Sequence, residues 1–163
     1  DFFQKIFSWE NLIMHIKRII TSRLPLKIDK DLRDLIRCSY FESAEAIGTE
    51  EFNYIASKIV NKISITKCAS SSWIRQLSDD YSTLFEIFCD SLADVIPISD
   101  KSKRLIAAAI FYFINPFDVI PDYTPGIGYV DDLFVLILCL KSLDKQDTEL
   151  IHKSFNKYTK TDS

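Results

Sequence analysis

Glycine and proline are scarce in this sequence, which holds 3 Gly and 5 Pro in 163 residues. An all-β domain of that length needs many tight turns, and turns draw on those two residues. The shortage argues against a sandwich or barrel and for a few long elements, which means helices. Histidine is scarcer still. His15 and His152 fall in separate helical patterns near the two ends of the chain. A nucleophilic Ser or Cys needs an imidazole beside it, and the pattern places neither histidine that way. Also lacking are a Gly-rich phosphate loop, an HExxH pair and a dinucleotide-binding fingerprint. The sequence offers no catalytic residues, no small-molecule substrate and no cofactor, and it leans away from an enzyme.

A basic excess is missing too. The net charge is −3 and the pI about 5.4, which sets a nucleic-acid partner aside. The charge is uneven: residues 1–37 hold eight Lys/Arg against five acids, residues 38–100 four against ten, and residues 101–163 eight of each. Solvated helix faces account for this pattern, with a docking role for the basic end as the sharper alternative. The four cysteines, Cys38, Cys68, Cys89 and Cys139, form no CxxC pair, and neither histidine completes a zinc-like spacing. With no signal peptide visible, they read as reduced and mostly buried thiols of a cytoplasmic protein.

What the sequence does have is helical periodicity in seven stretches. The first, Phe2 to about Thr21, sets Phe2, Ile6, Trp9, Ile13, Ile16 and Ile20 on one stripe. The second starts near Asp29 or Asp31, turns Leu32, Leu35, Ile36, Tyr40 and Ala44 inward, and stops at Gly48. Thr49 is expected to cap a third, with Glu50 and Glu51 in its first turn and Phe52, Ile55, Ala56, Ile59, Val60 and Ile63 on its buried face. A fourth follows the serines at 70–72 and carries Trp73, Ile74, Leu77, Tyr81, Leu84, Phe85, Phe88, Leu92 and Val95, with Pro97 closing it. Trp9 and Trp73 lie on apolar stripes and read as core anchors. Ser99 or Asp100 caps a fifth that runs to about Ile114. A sixth runs from about Asp131, and a last from Asp147 to about Tyr158, with Leu150, Ile151, Phe155 and Tyr158 inward.

The fifth and sixth are apolar all round, over runs of 10 residues (105–114) and 8 residues (133–140). A membrane span needs about 20 such residues, so these read as central core helices. A shallow hairpin in a membrane surface is the competing reading. The whole predicts an all-α fold: residues 1–163 form a single bundle of about six or seven helices around a central apolar helical hairpin.

One segment is distinctive. Tyr112-Phe113-Ile114-Asn115-Pro116-Phe117-Asp118-Val119-Ile120-Pro121-Asp122, then Pro125, Gly128, Tyr129 and Asp131-Asp132, leads into an apolar helix. Residues 105–143 resemble the YkvA-like family of bacterial domains of unknown function, in which a similar Asn/Ser-Pro-x-Asp-x-Ile-Pro-Asp string and a Pro-x-x-Gly-x-x-Asp-Asp loop join two helices. The resemblance implies an α-helical hairpin, with some relatives membrane-associated, and no defined activity. It is limited to about residues 105–143 within the hairpin and terminal helix of 101–163, and residues 1–100 match no family.

Read physically, Asn115 stops one helix and caps a new turn, Pro116 takes the first helical position and Asp118 the third. Pro121 and Asp122 repeat that device, and Asp122 can satisfy loop amides. Gly128 permits close backbone approach, and Asp131 and Asp132 sit where a helix N-terminus favours acids. These are the candidate binding residues of the motif. The sharper alternative makes Asp118, Asp122, Asp131 and Asp132 oxygen ligands for Mg²⁺ or Ca²⁺, although their spacing differs from an EF-hand loop. Capping and loop bracing remain the plainer account. The functional expectation is a non-enzymatic helical module that binds a protein partner or itself. A membrane surface reached through the hairpin is the first alternative, and a cation sensor or enzyme the second.

Overall fold

A computed structural model of the chain describes residues 30–115 and 128–158, with side chains as far as Lys153. The predicted helix at 2–21, with Trp9 and His15, and the loop residues Pro116, Asp118, Pro121 and Asp122 lie outside the described residues. Those described form an all-α bundle, α1 Lys30–Ala46, α2 Thr49–Lys67, α3 Ser72–Leu92, α4 Asp100–Ile114, α5 Val130–Ser142 and α6 Lys145–Tyr158.

The arrangement follows from which helix has no polar face. α4 packs against α1, α2, α3 and α5, and from Leu105 to Ile110 every residue is buried. Ala107, Ala108 and Ala109 have no exposed surface. Three small side chains in a row let four neighbours approach one axis, where larger ones would force them apart. α5 packs against α4 and α1, and Leu133 and Val135 to Leu140 are buried. The two apolar stretches thus form the interior, and the amphipathic helices supply the outside.

Helix boundaries are set by local chemistry, in places different from the sequence expectation. Gly48 does not stop α1 in a left-handed conformation. Its backbone is extended and it is the N-cap of α2, so Thr49 is the first helical residue rather than the cap. The Glu51 carboxylate accepts a bond from the Gly48 N–H at 2.8 Å, which is the returning half of a capping box. α3 ends at Leu92, before Pro97 has any say. Asp94 takes the left-handed conformation at φ 57°, the Val95 N–H donates to the Asp90 carbonyl at 2.9 Å and the Asp94 N–H to the Ser91 carbonyl at 3.4 Å. This is a Schellman stop, and it carries Val95 out of the helix. Ser71 and Ser99 are the N-caps of α3 and α4. α6 begins two residues before the expected Asp147.

The predicted stripes are wider than the surface the bundle covers. Ile36, Tyr40, Ala44, Ile55, Ile59, Leu77, Tyr81, Leu84, Phe88 and Ile151 are buried as expected. Leu32, Phe52, Ile63, Trp73, Ile74, Phe85 and Leu150 are half-buried. Leu35, Val60, Leu92 and Val95 are exposed, Val60 by 66%, and Ala56 is exposed beside it. The cysteine expectation also needs correction. Cys139 alone is buried, and Cys38, Cys68 and Cys89 are exposed free thiols. Cys38 and Cys89 fall on the polar outer faces of α1 and α3, and Cys68 is the C-cap that follows α2.

Candidate functional site: the acidic end of the central hairpin

The motif collects at the end of the bundle where α4 finishes and α5 begins. Asn115 is the C-cap of α4, with extended backbone and its N–H shared between the Phe111 and Tyr112 carbonyls at 3.1 and 3.3 Å. Gly128 is buried. Tyr129, the N-cap of α5, holds a left-handed conformation at φ 74°, a strained choice for an aromatic residue. That kink swings Val130, Asp131 and Asp132 inward as the first turn of α5.

Asp131 and Asp132 are both fully buried. The sequence reading placed them at a helix N-terminus, where their charge is favoured, and did not foresee that water would be removed from both. The structure shows how Asp131 is held. One carboxylate oxygen accepts from the Tyr112 hydroxyl at 2.9 Å, and the other from the Asp132 N–H at 3.0 Å. Around Asp132, the Tyr81 hydroxyl of α3 donates to its backbone carbonyl at 2.6 Å. The Tyr81 ring stacks on Phe113 of α4, centroids 4.1 Å apart and planes 5° from parallel. Lys62 of α2 lies over the Phe113 and Tyr129 rings, its Nζ 5.5 and 5.1 Å from their centroids. A neighbouring bond, Ser78 Oγ to the Ile63 carbonyl at 3.1 Å, joins α3 to α2.

Three of the side chains that build this end, Lys62, Tyr81 and Tyr112, were not picked out as site residues. Tyr81 read as an ordinary member of an apolar stripe, Tyr112 as the aromatic start of the motif string, and Lys62 drew no reading at all. Their hydroxyls and ammonium matter only because α2 and α3 cross α4 here. Among the described residues, no group of three or more His, Cys, Asp or Glu side chains is placed to hold a metal ion. Asp131 and Asp132 are adjacent, and the other two aspartates of the motif lie outside the described residues.

A second polar cluster closes the opposite end of α4. Asp147 of α6 accepts from Ser102 Oγ at 2.5 Å, from Ser99 Oγ at 2.6 Å and from the Ser99 N–H at 3.3 Å. Burial works against its charge, but the bonds from Ser102 and Ser99, with Lys101 nearby, hold its carboxyl below the usual range. Between the two ends, Cys139 Sγ and the Tyr40 hydroxyl both donate to the Leu105 carbonyl, at 3.6 and 2.8 Å. Burial pushes the Cys139 thiol up to about 12, so this sulfur is a packing group and not a nucleophile.

A buried helical hairpin with an acidic first turn and a Pro/Gly-containing connection defines the class. Its residues 102–138 match the model of a family described as protein of unknown function (DUF1232). A relative carrying the same kind of segment is the uncharacterized membrane protein YkvA of Bacillus subtilis (strain 168), 37% identical over 65 residues, or 39% of this chain and 61% of the relative. The likeness is therefore one of a segment, and the chain spans less than two thirds of that relative. No solved structure matches the chain.

Proposed function

We propose that the protein is a non-enzymatic helical binding module in which the family hairpin is the structural core and the outer helices meet a protein partner or a second copy. The observation that carries this reading is the mismatch on α2. Its apolar stripe continues through Ala56 and Val60, yet the bundle leaves both exposed. Leu35 on α1 and Ile65 on α2 are exposed by 56% and 57%. Apolar side chains left outside by a bundle with so apolar an interior are a resource for association, while the hairpin is spent on folding.

A membrane-surface role is the second reading, favoured by the printed name of the Bacillus relative. No described helix is long and apolar enough to cross a membrane. The hairpin itself is unsuited to shallow insertion without opening the bundle, because α1, α2 and α3 cover α4. Contact with a bilayer would use the outer faces.

One experiment separates the two. Light scattering after size exclusion, over a range of concentrations, is run on the wild type and on Val60→Glu, alongside flotation with vesicles of neutral and of anionic lipid. Self-association that Val60→Glu abolishes supports the binding module. Flotation of a monomer supports the membrane reading. A monomer that floats with neither vesicle, and whose Val60→Glu variant captures the same proteins as wild type, removes the α2 face from consideration.

A further inference from the structure

α1 and α4 face one another through matched positions. On α1 these are Phe41, Ala44 and Glu45, and on α4 Lys101, Arg104 and Leu105. Each set is spaced i, i+3, i+4, so its members share one face of their helix. The Tyr40 hydroxyl donates to the Leu105 carbonyl at 2.8 Å and fixes the two helices at this level. Between them, with Ser142 at the end of α5 also in its wall, lies an open cavity of about 360 Å³. Small-molecule sites run from about 300 to 1,000 Å³. The cavity sits at the start of α4, away from the acidic motif at its end.

Its lining divides by chemistry. Ala44 and Leu105 are buried and Phe41 is half-buried, so they make an apolar floor. Lys101 and Arg104 are exposed. Among the described residues Arg104 enters no ion pair, and Lys101 holds Asp144 at 3.5 Å with the two side chains 64% and 56% exposed. A pair so wet contributes little and yields to a better partner. Two cations one turn apart repel until an anion lies between them. Both suit a phosphate, Arg through its planar fork and Lys as a point charge. The Ser142 hydroxyl donates to the Leu138 carbonyl at 2.6 Å, which leaves its oxygen to accept a bond. Glu45 is the one carboxylate of the lining, and it stands on α1 rather than on the helix of the cations. We infer that this cavity binds an anionic amphiphile, a phosphate monoester on an apolar chain, with the head on Lys101 and Arg104 and the chain over Phe41, Ala44 and Leu105. A bare anion leaves the floor uncovered, and a neutral hydrocarbon leaves the cations unserved. The headgroup of an anionic lipid and a free amphiphile share this chemistry.

Titration calorimetry of the full chain with octyl phosphate, kept below its micelle-forming concentration, tests the site. Octyl phosphate binds, and inorganic phosphate binds at least about tenfold more weakly. Arg104→Gln weakens octyl phosphate by about tenfold or more, the loss of a charge-assisted bond. Glu45→Gln tightens it, because a like charge is gone. Lys58→Gln, exposed on α2, leaves it unchanged. All three positions are exposed, so the variants keep the wild-type melt. Flotation with phosphatidate vesicles that Arg104→Gln abolishes identifies a membrane lipid as the source. Octyl phosphate binding without such flotation identifies a free amphiphile. No binding of octyl phosphate at about 1 mM, equal affinity for inorganic phosphate, or an Arg104→Gln variant that binds as wild type does overturns the assignment.

Discussion

At the scale of single residues, the informative groups are carboxylates whose surroundings pull in opposite directions. Asp147 is held in its charged form by two serine hydroxyls and a backbone N–H. Its folded pKa lies below the unfolded value, so its stabilisation is present above the ordinary aspartate range and is lost as pH falls through the folded value. Asp147→Asn should therefore cost about 1–3 kcal/mol at neutral pH. The gap from wild type should close below about pH 4, measured by urea denaturation at several pH values. Asp80 behaves the other way. Burial raises its pKa to about 7, with Gln76 holding one oxygen at 3.1 Å and partly opposing the rise, and Asp79 adding to it. A raised folded pKa means stability that is fully present below the ordinary aspartate value and lost as pH rises through about 7. Asp80→Asn should remove that loss. The variant should be more stable than wild type by about 1–2 kcal/mol above pH 8, a figure reduced because the side chain keeps some contact with solvent, and the two should converge near pH 4. A gain that persists at pH 4 would show that burial of its charge is not the cause.

At the scale of elements, α4 is the axis of the bundle and its alanines set the spacing. Ala107, Ala108 and Ala109 are fully buried among α1, α2, α3 and α5. Ala108→Leu should cost about 1–3 kcal/mol by overpacking, read as a lower denaturant midpoint with the slope unchanged. Helix existence was legible in the sequence because period-3.6 stripes mark α1, α2, α3 and α6, and apolar runs too short for a membrane span mark α4 and α5. Boundaries were less so. Gly48 was read as a stop because glycine is the usual left-handed terminator, whereas its extended backbone starts α2 instead. Asp94, which lacks glycine's freedom but belongs to the few other residue types that visit the left-handed region, takes the position that ends α3. Both outcomes depend on where neighbouring helices pull the chain.

At the scale of the molecule, burial follows from which faces meet, and the thiols report it. In the native protein three cysteines, Cys38, Cys68 and Cys89, should react with an aromatic disulfide reagent, and Cys139 only after unfolding. Cys89 should be the slowest of the three, because burial and the nearby Asp90 and Glu86 raise its pKa. Labelling followed by peptide mass spectrometry checks the order. Four reactive thiols in the native state would mean that α5 is not the buried helix described here.

The sequence by itself determined that the chain is helical, that residues 105–114 and 133–140 lie inside, and that the segment between them is the distinctive part. Those conclusions rest on local properties, namely periodicity, the shortage of Gly and Pro, and the length of apolar runs. Only the tertiary structure decided that Asp131 and Asp132 are buried together, that Tyr112 and Tyr81 bond to that turn, and that Lys62 stands over Phe113 and Tyr129. It also decided that Val60 and Ala56 stay outside. A stripe fixes which face of a helix is apolar. How much of that face is covered, and which charges share one dry space, depends on helices that are distant in sequence and cross at one point.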